Sequence, residues 1–264
     1  MSVIDPNVTN DLVIPDIRSR LFVGHEAARF AVGIIAHGDV VMPGRGQEYL
    51  GYLRLRANVY ADQTNMIPKE SVAADGTERD IDDSRSVHFA VIENAGKNKR
   101  VVGAMRLIIK SKKDPRMLPI EEFFEKEAFA DYVAPLGSTE VSRYICRHED
   151  SKTMRQLKWP LYTAALSHVM ANDIGPTYAV VEEFLEKGLT KSGIPITRIA
   201  SPKFVPEYND FNMGIEIDTN LLGQLIGVSA STAPTQRNAK NVFSYYGDNI
   251  MAPIQSPVEQ AQAG

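Results

Sequence analysis

Seven charged side chains stand where an α/β chain has little reason to put them. Arg56 lies in the apolar-striped stretch Leu50–Tyr60, Arg106 in Val102–Leu107, and Glu140 and Arg143 in Glu140–Ile145. Glu78, Asp80 and Asp83, with Asp82 beside them, crowd the run Asp75–Asp83. Strands of an α/β sheet are normally covered on both faces, so charges inside them carry information. A buried arginine requires a carboxylate, because breaking such a pair costs about 3–5 kcal/mol. Three arginines and four carboxylates could satisfy one another in one cleft at the sheet. Two plainer alternatives stand beside this: a solvated acidic turn at Glu78–Asp83, and edge-strand or purely structural ion pairs for the arginines. Geometry adds a condition. Residues three apart on a regular strand point to opposite faces, so Glu140 and Arg143 line one cleft only if a bulge intervenes, and bulges tend to lie beside active sites.

Other chemistries lack their residues. The chain has no G-x-x-x-x-G-K-[ST] phosphate loop, no G-x-G-x-x-G after a strand, no H-E-x-x-H and no G-x-S-x-G elbow. His25, His37, His88, His148 and His168 have neither metal-ligand spacing nor a cysteine partner, so no metal site is expected. Cys146, the one cysteine, sits among apolar residues and reads as an inert core thiol.

The elements that must position these charges fill a core of about 180 residues, 47–228. Leu50, Leu53, Ala57 and Tyr60 recur at helical spacing and predict a helix over Gln47–Asp62. Ser86–Glu93 and Val101–Lys110 read as strands joined by a turn at Asn94–Lys99. Pro119 opens a short acidic helix through Phe124. Further along come a strand at Thr139–Arg147, a long helix at Leu157–Ile174 and a strand at Tyr178–Val181. A helix at Glu182–Lys191, stopped by Gly193, precedes strands at Ile196–Ala200 and Gly214–Asp218. Strands alternating with helices imply one α/β domain with helices on both faces of a sheet. The flanks differ. Residues 1–46 carry Pro6, Pro15 and Pro43 and read as an irregular extension with one short helix near the apolar run Phe30–Ala36. Residues 229–264 are rich in Ser, Ala, Thr, Gln and Pro, with a frayed tail from Ser256 and a docking stretch at Val242–Tyr246.

Length and composition are those of a globular protein: 264 residues, 44% hydrophobic and 23% charged. A net charge of -4 argues against bulk attraction to nucleic acid or anionic lipid. The apolar stretches fall short of the roughly 20 residues of a membrane span. No secretory signal is visible at Met1–Asn10, and a lone cysteine suits a reducing compartment, so a cytoplasmic location is expected.

The runs Leu53–Tyr60, Asp75–Asp83, Val102–Leu107 and Glu140–Tyr144 together resemble the bacterial acyl-homoserine-lactone synthases, the autoinducer synthases. That family carries L-R-x-x-V-F, G-x-E-x-D-x-x-D, V-G-x-x-R-L and E-x-S-R-[FL] in this order. The resemblance continues more weakly through Ile174, Gly193, Ile196 and Arg198, over about 170 residues. It implies a GNAT-like acyltransferase fold, a mixed twisted sheet with a V-shaped cleft. It also implies transfer of a fatty acyl group from acyl carrier protein, or from acyl-CoA, to the amine of S-adenosylmethionine. Lactonisation then releases 5′-methylthioadenosine. Both molecules are substrates, and no cofactor is implied.

By the same resemblance the charged cluster is Arg56, Glu78, Asp80, Asp83, Arg106, Glu140 and Arg143. Glu78, Asp80 and Asp83 would face the sulfonium and ammonium, Arg143 or Arg106 the carboxylate, and Glu140 would act as general base. Backbone near Ser142–Tyr144 would supply the oxyanion donors. The acyl chain would run along Leu161, Ala165 and Val169, residues that at helical spacing read equally as core. An acidic carrier protein would meet Lys110, Lys112, Lys113 and Arg116, or Lys152, Arg155 and Lys158. The chain departs from the pattern in two substrate-pocket positions. Met66 stands where the family has tryptophan, and Tyr60 stands where the motif has phenylalanine, while Trp159 lies elsewhere. Two further readings follow: an N-acyl amino acid synthase of the same fold, and a non-catalytic acyl-carrier or ligand-binding module.

Overall fold

The computed structural model describes residues 29–95, 98–124, 133–172 and 174–222. The flank 229–264, with Val242–Tyr246, and residues 1–28 lie outside them, as does the centre of the expected turn at Asn94–Lys99. Nine strands and four helices make one α/β domain within the described residues: β1 Phe30–His37, β2 Val40–Val41, α1 Gly46–Ala57, β3 Ser86–Ala95, β4 Asn98–Ile109, α2 Pro119–Phe124, β5 Thr139–Cys146, α3 Ser151–Ala171, β6 Thr177–Val181, α4 Glu183–Lys191, β7 Ile196–Arg198, β8 Lys203–Val205 and β9 Asp210–Ile217. The mixed sheet runs β2-β1-β3-β4-β5-β6-β9-β7, with β8 added on β9.

The near-continuous apolar character of β3 and β4 comes from cover on both faces. Val87, Phe89, Val91, Met105 and Leu107 pack under Leu157, Leu161, Ala165 and Val169 of α3. The alternate residues Ala90, Ile92 and Ala104, joined by Ile145 of β5, pack under Tyr49, Tyr52 and Leu53 of α1. A third cluster, Ile108, Ile120, Phe124, Tyr178 and Val205, closes the α1 side farther along the sheet. The approach is tightest at Gly103. A β-carbon there would come within 3.0 Å of both Leu161 and Val91.

Only one parallel junction exists among the described strands. β5 and β6 pair from Thr139–Thr177 to Val141–Ala179, and no pairing follows although β5 continues to Cys146 and β6 to Val181. The sheet therefore forks beyond Val141, and the fork points at the strand that carries Ser142 and Arg143.

Several elements differ from the sequence expectation, the two-residue β2 among them. Phe30–His37, expected to be irregular or helical, is a strand paired along β3; a short unbroken apolar run carries no period to separate the two states. The long helix starts at Ser151 rather than Leu157. Asp150 caps it by accepting the Thr153 N–H at 2.7 Å, and its first two turns are polar and hid the start. β8 was not foreseen at all.

Lys110, expected on a basic surface patch, is instead buried with Nζ 2.7 Å from Glu121, whose carboxylate also accepts the N–H groups of Leu118 and Ala134. Among the described residues no helix is long and apolar enough to cross a membrane. Substituting Lys110→Met strands the Glu121 charge. The expected loss is about 3–5 kcal/mol of stability in urea unfolding, and a loss below 1 kcal/mol would show that water reaches Glu121.

Candidate active site

Arg56 arrives from α1, at the end of its last turn, fully buried. The α-helix then loosens into a π turn over Asn58–Gln63, which brings Tyr60 to the same side. The acidic residues come from the loop before β3. Its backbone is tied to α1 by the Glu78 N–H on the Leu53 carbonyl and tightened by a 3-10 turn at Asp83–Arg85. Arg106 projects from β4, in register with His88 on one side and Ser142 on the other.

Three guanidiniums and three carboxylates interlock. Arg56 donates Nε–H to Glu78 and grips Asp83 with both terminal nitrogens, at 2.6 and 3.1 Å. Arg106 donates to Asp80 and, at 2.9 Å, to Asp83, while its Nε–H reaches the Ser142 hydroxyl at 3.1 Å. Arg143 closes the ring through Nη2 to Asp80 at 2.8 Å and Glu78 at 3.1 Å. Its guanidinium lies 5.1 Å from the centre of the Tyr60 ring. The core of this network is dry. Asp80, with 25% of its side chain exposed, and Arg143, with 13%, form the edge that faces outward.

The bulge on which a shared face for Glu140 and Arg143 depended is present. Ala104 pairs with Ile145 and Arg106 with Ser142, so Arg143 and Tyr144 together oppose the single residue Met105. Arg143 takes the extra position with φ of 52°, a left-handed backbone that is costly for a residue with a β-carbon. The bulge turns Arg143 onto the face of Ser142 and Arg106 and sends Tyr144 to the opposite side, where it packs on Tyr162 of α3 at 4.6 Å.

Electrostatics separate the carboxylates into two kinds. Burial alone would raise Asp83, but Arg56 and Arg106 outweigh it and hold the group well below the usual range; Arg106 and Arg143 likewise lower Asp80. Glu140 is different. Expected within the ion-pair network, it stands outside it, one rung deeper between Ile108 of β4 and Tyr178 of β6. The three arginines are already occupied by the three other acids. One Glu140 oxygen accepts the Ile120 N–H at 2.8 Å, and the other, Oε1, is buried with no partner. Burial pushes this carboxyl up to about 8.

A sequence model of the autoinducer synthases matches residues 48–222. The chain belongs to that family. It is an acyltransferase of acyl-homoserine lactone synthesis. The autoinducer synthase fold is visible in solved relatives too. The AHL synthase LasI superposes with a TM-score of 0.59 over 86% of this chain and 98% of its own, at 16% identity. BjaI, a CoA-dependent acyl-homoserine lactone synthase solved with MTA, gives 0.52 at 23% identity over 69% of this chain and 83% of its own. TofI, in a ternary complex with an inhibitor and MTA, gives 0.52 at 18% identity over 72% of this chain and 91% of its own. At these identities the likeness is one of fold. No curated protein matches the chain.

The remaining sequence candidates lie in separate places. Met66 lines an open cleft of about 650 Å³ with Asn65, Ile67, Pro68, Lys69, Pro206 and Glu207. Leu161, Ala165 and Val169 are fully buried core of α3. Lys112, Lys113, Lys152 and Arg155 are exposed, whereas Arg116 is held by Asp114 at 2.8 Å. Sequence reasoning missed His88. Burial lowers its pKa to about 4, so the ring is neutral. Its Nε2–H donates to the Asp83 carbonyl at 3.1 Å and Nδ1 accepts from the Tyr52 hydroxyl at 3.2 Å, which fixes the backbone that carries Asp83.

The lowered aspartates set the acid stability. Their contribution is complete above the unfolded aspartate value of about 3.9 and is lost as pH falls through the lower folded values. Asp83→Asn is therefore expected to cost about 3–5 kcal/mol at pH 7 and to flatten the loss of stability below pH about 4. Denaturant titrations across pH check both, and an unchanged acid slope would contradict the assignment.

Proposed function

We propose that the chain joins a fatty acyl group, delivered as a thioester on acyl carrier protein, to the amine of S-adenosylmethionine. The observation that carries this reading is Glu140: a buried carboxyl with one free oxygen, held near neutrality beside a charge-balanced network whose open edge is Asp80 and Arg143. An ammonium cannot attack a thioester until it loses a proton. A base whose pKa lies near the working pH removes that proton well. The neutral amine nitrogen then bonds to the thioester carbonyl carbon and the carrier thiolate leaves. The substrate carboxylate next displaces 5′-methylthioadenosine at the γ-carbon, closing the lactone as the C–S bond to the sulfonium breaks.

Asp80 and Glu78 supply negative potential for the sulfonium, and Arg143, with a buried Nε–H that has no partner, is the carboxylate anchor. The cleft beside Met66 receives the nucleoside. Arg106 holds Ser142 and so the strand edge at the fork, where backbone N–H groups meet the developing oxyanion. The donor follows from α3. Its N-terminus, a natural anion site, is filled by the Asp150 carboxylate with Glu149 beside it, which disfavours a phosphate-rich nucleotide there. An acidic carrier protein would instead meet exposed Lys152 and Arg155 on that helix. The buried lone Cys146 suits a reducing compartment, and we place the reaction in the cytoplasm.

One observation favours a second reading. Met66, in place of an aromatic, shapes the nucleoside cleft, and a free amino acid as acceptor would need no nucleoside contact at all. Mass spectrometry of products from a mixed acyl-carrier pool, S-adenosylmethionine and free amino acids decides between them. Acyl-homoserine lactone with 5′-methylthioadenosine is the expected pair. Acyl amino acids without methylthioadenosine would establish the second reading, and no product at all would leave a binding module. Glu140→Gln is expected to lose about 100-fold or more in kcat, with the wild-type decline below pH about 8 absent from the residual rate. Near-normal turnover would remove Glu140 from the mechanism.

A further inference from the structure

Glu140 is fully buried between the sheet and α2, and the cluster around it also carries a turn that the mechanism above does not use. Within the sheet its neighbours are Ile108 and Tyr178. From α2, Ile120 contributes the N–H that holds Oε2. Between β8 and β9, the 3-10 turn Pro206–Tyr208 brings Tyr208 against the apolar cluster that contains Ile108, Ile120 and Tyr178. Its ring meets Phe123, on the helix that carries Ile120, edge to face at 5.2 Å. The turn is pinned by Asn209, whose N–H donates to the Pro206 carbonyl at 3.1 Å with φ of 49°. Pro206 and Glu207, the residues just before Tyr208, line the cleft that also carries Met66. Tyr208 thus follows directly on the cleft lining and packs on the cluster that contains the strand neighbours of the buried carboxyl.

We propose that Tyr208 is a positioning residue for Glu140, its ring excluding water from the carboxyl on the cleft side so that the group exchanges its proton near neutral pH rather than in acid. The groups around Glu140 agree with a desolvation role. Asp82 raises it, while Arg106 and Arg85 lower it, and none forms a hydrogen bond to it. With charge neighbours that oppose one another, what keeps the carboxyl high is its dry wall. The Tyr208 hydroxyl in turn is raised, by burial first and then by Glu140, so it stays protonated and adds no charge of its own.

The proposal rests on Glu140 as the base, yet it can be read without turnover. The carbonyl-stretch infrared band of the protonated carboxyl, assigned by its loss in Glu140→Gln, gives the midpoint directly in the resting protein. Removing the ring in Tyr208→Ala admits water, so the midpoint is expected to fall by at least 1 pH unit. Tyr208→Phe keeps the ring and is expected to keep the midpoint. In kcat/KM the acid limb of Tyr208→Ala should move to lower pH by the same interval, a change that a merely structural role would not produce. Should Tyr208→Ala fail to fold by circular dichroism, Tyr208→Val reads the same midpoint. A midpoint unmoved in a folded ring-deletion variant overturns the proposal, as does a Tyr208→Phe midpoint that falls as far as that of Tyr208→Ala. If the wild-type protein makes no lactone while the midpoint still moves, the functional reading fails and the role of Tyr208 stands.

Discussion

Everything in the site depends on the need to neutralise three guanidiniums at the middle of a sheet. Arg56, Arg106 and Arg143 come from a helix, an inner strand and a bulged strand, and none can be left without a carboxylate at that depth. Glu78, Asp80 and Asp83 answer them from a single loop, which is therefore held to α1, β4 and β5 at once. The network stabilises by avoiding a penalty more than by adding attraction: an apolar core of the same volume would do as well for stability alone. What it adds is a set of charges held in place by one another, and such preorganisation is what electrostatic catalysis requires.

Backbone strain is the second consequence. Arg143 can join the ring only by leaving the regular strand, and it does so with a left-handed φ that its contacts with Asp80, Glu78 and Tyr60 over-determine. The same bulge interrupts β4–β5 pairing, which resumes at Ala104–Ile145, close to the point where β5 and β6 cease to pair. The fork of the sheet thus lies next to the fixed charges, and a regular strand would not have turned Arg143 toward them.

Much of this was legible in the residue order, and the reasons differ from case to case. Charges within apolar strand runs pointed to the cluster, because a sheet covered on both faces tolerates them only in pairs, and the spacing of Glu140 and Arg143 tied a shared face to a bulge. The strand Phe30–His37 was opaque because an unbroken apolar octet has no period. Lys110 was misplaced because sequence shows its charge but not Glu121, eleven residues on, folding back to meet it. His88 could have been found: on a strand read as Ser86–Glu93 it falls on the face of Ala90 and Ile92, a polar group in an apolar row. Tyr208 had no signal, since its place depends on a hairpin of β8 and β9 that the pattern did not reveal.

The separation of Glu140 from the other acids was the least legible feature and the most consequential. Four carboxylates and three arginines sum to one unpaired acid, yet composition cannot say which. Register decides. Glu140 lies two residues before Ser142 on one face, without a bond to Arg106, and there the sheet offers Ile108 and Tyr178 and α2 one backbone N–H. Buried carboxylates of one sheet face thus diverge: arginines hold Asp83 ionised far into acid, while desolvation keeps Glu140 protonated up to about 8. Acids that never release their charge can only hold a substrate. An acid poised near neutrality can exchange a proton with it, and the fold produces that difference by moving one side chain a single rung along a strand.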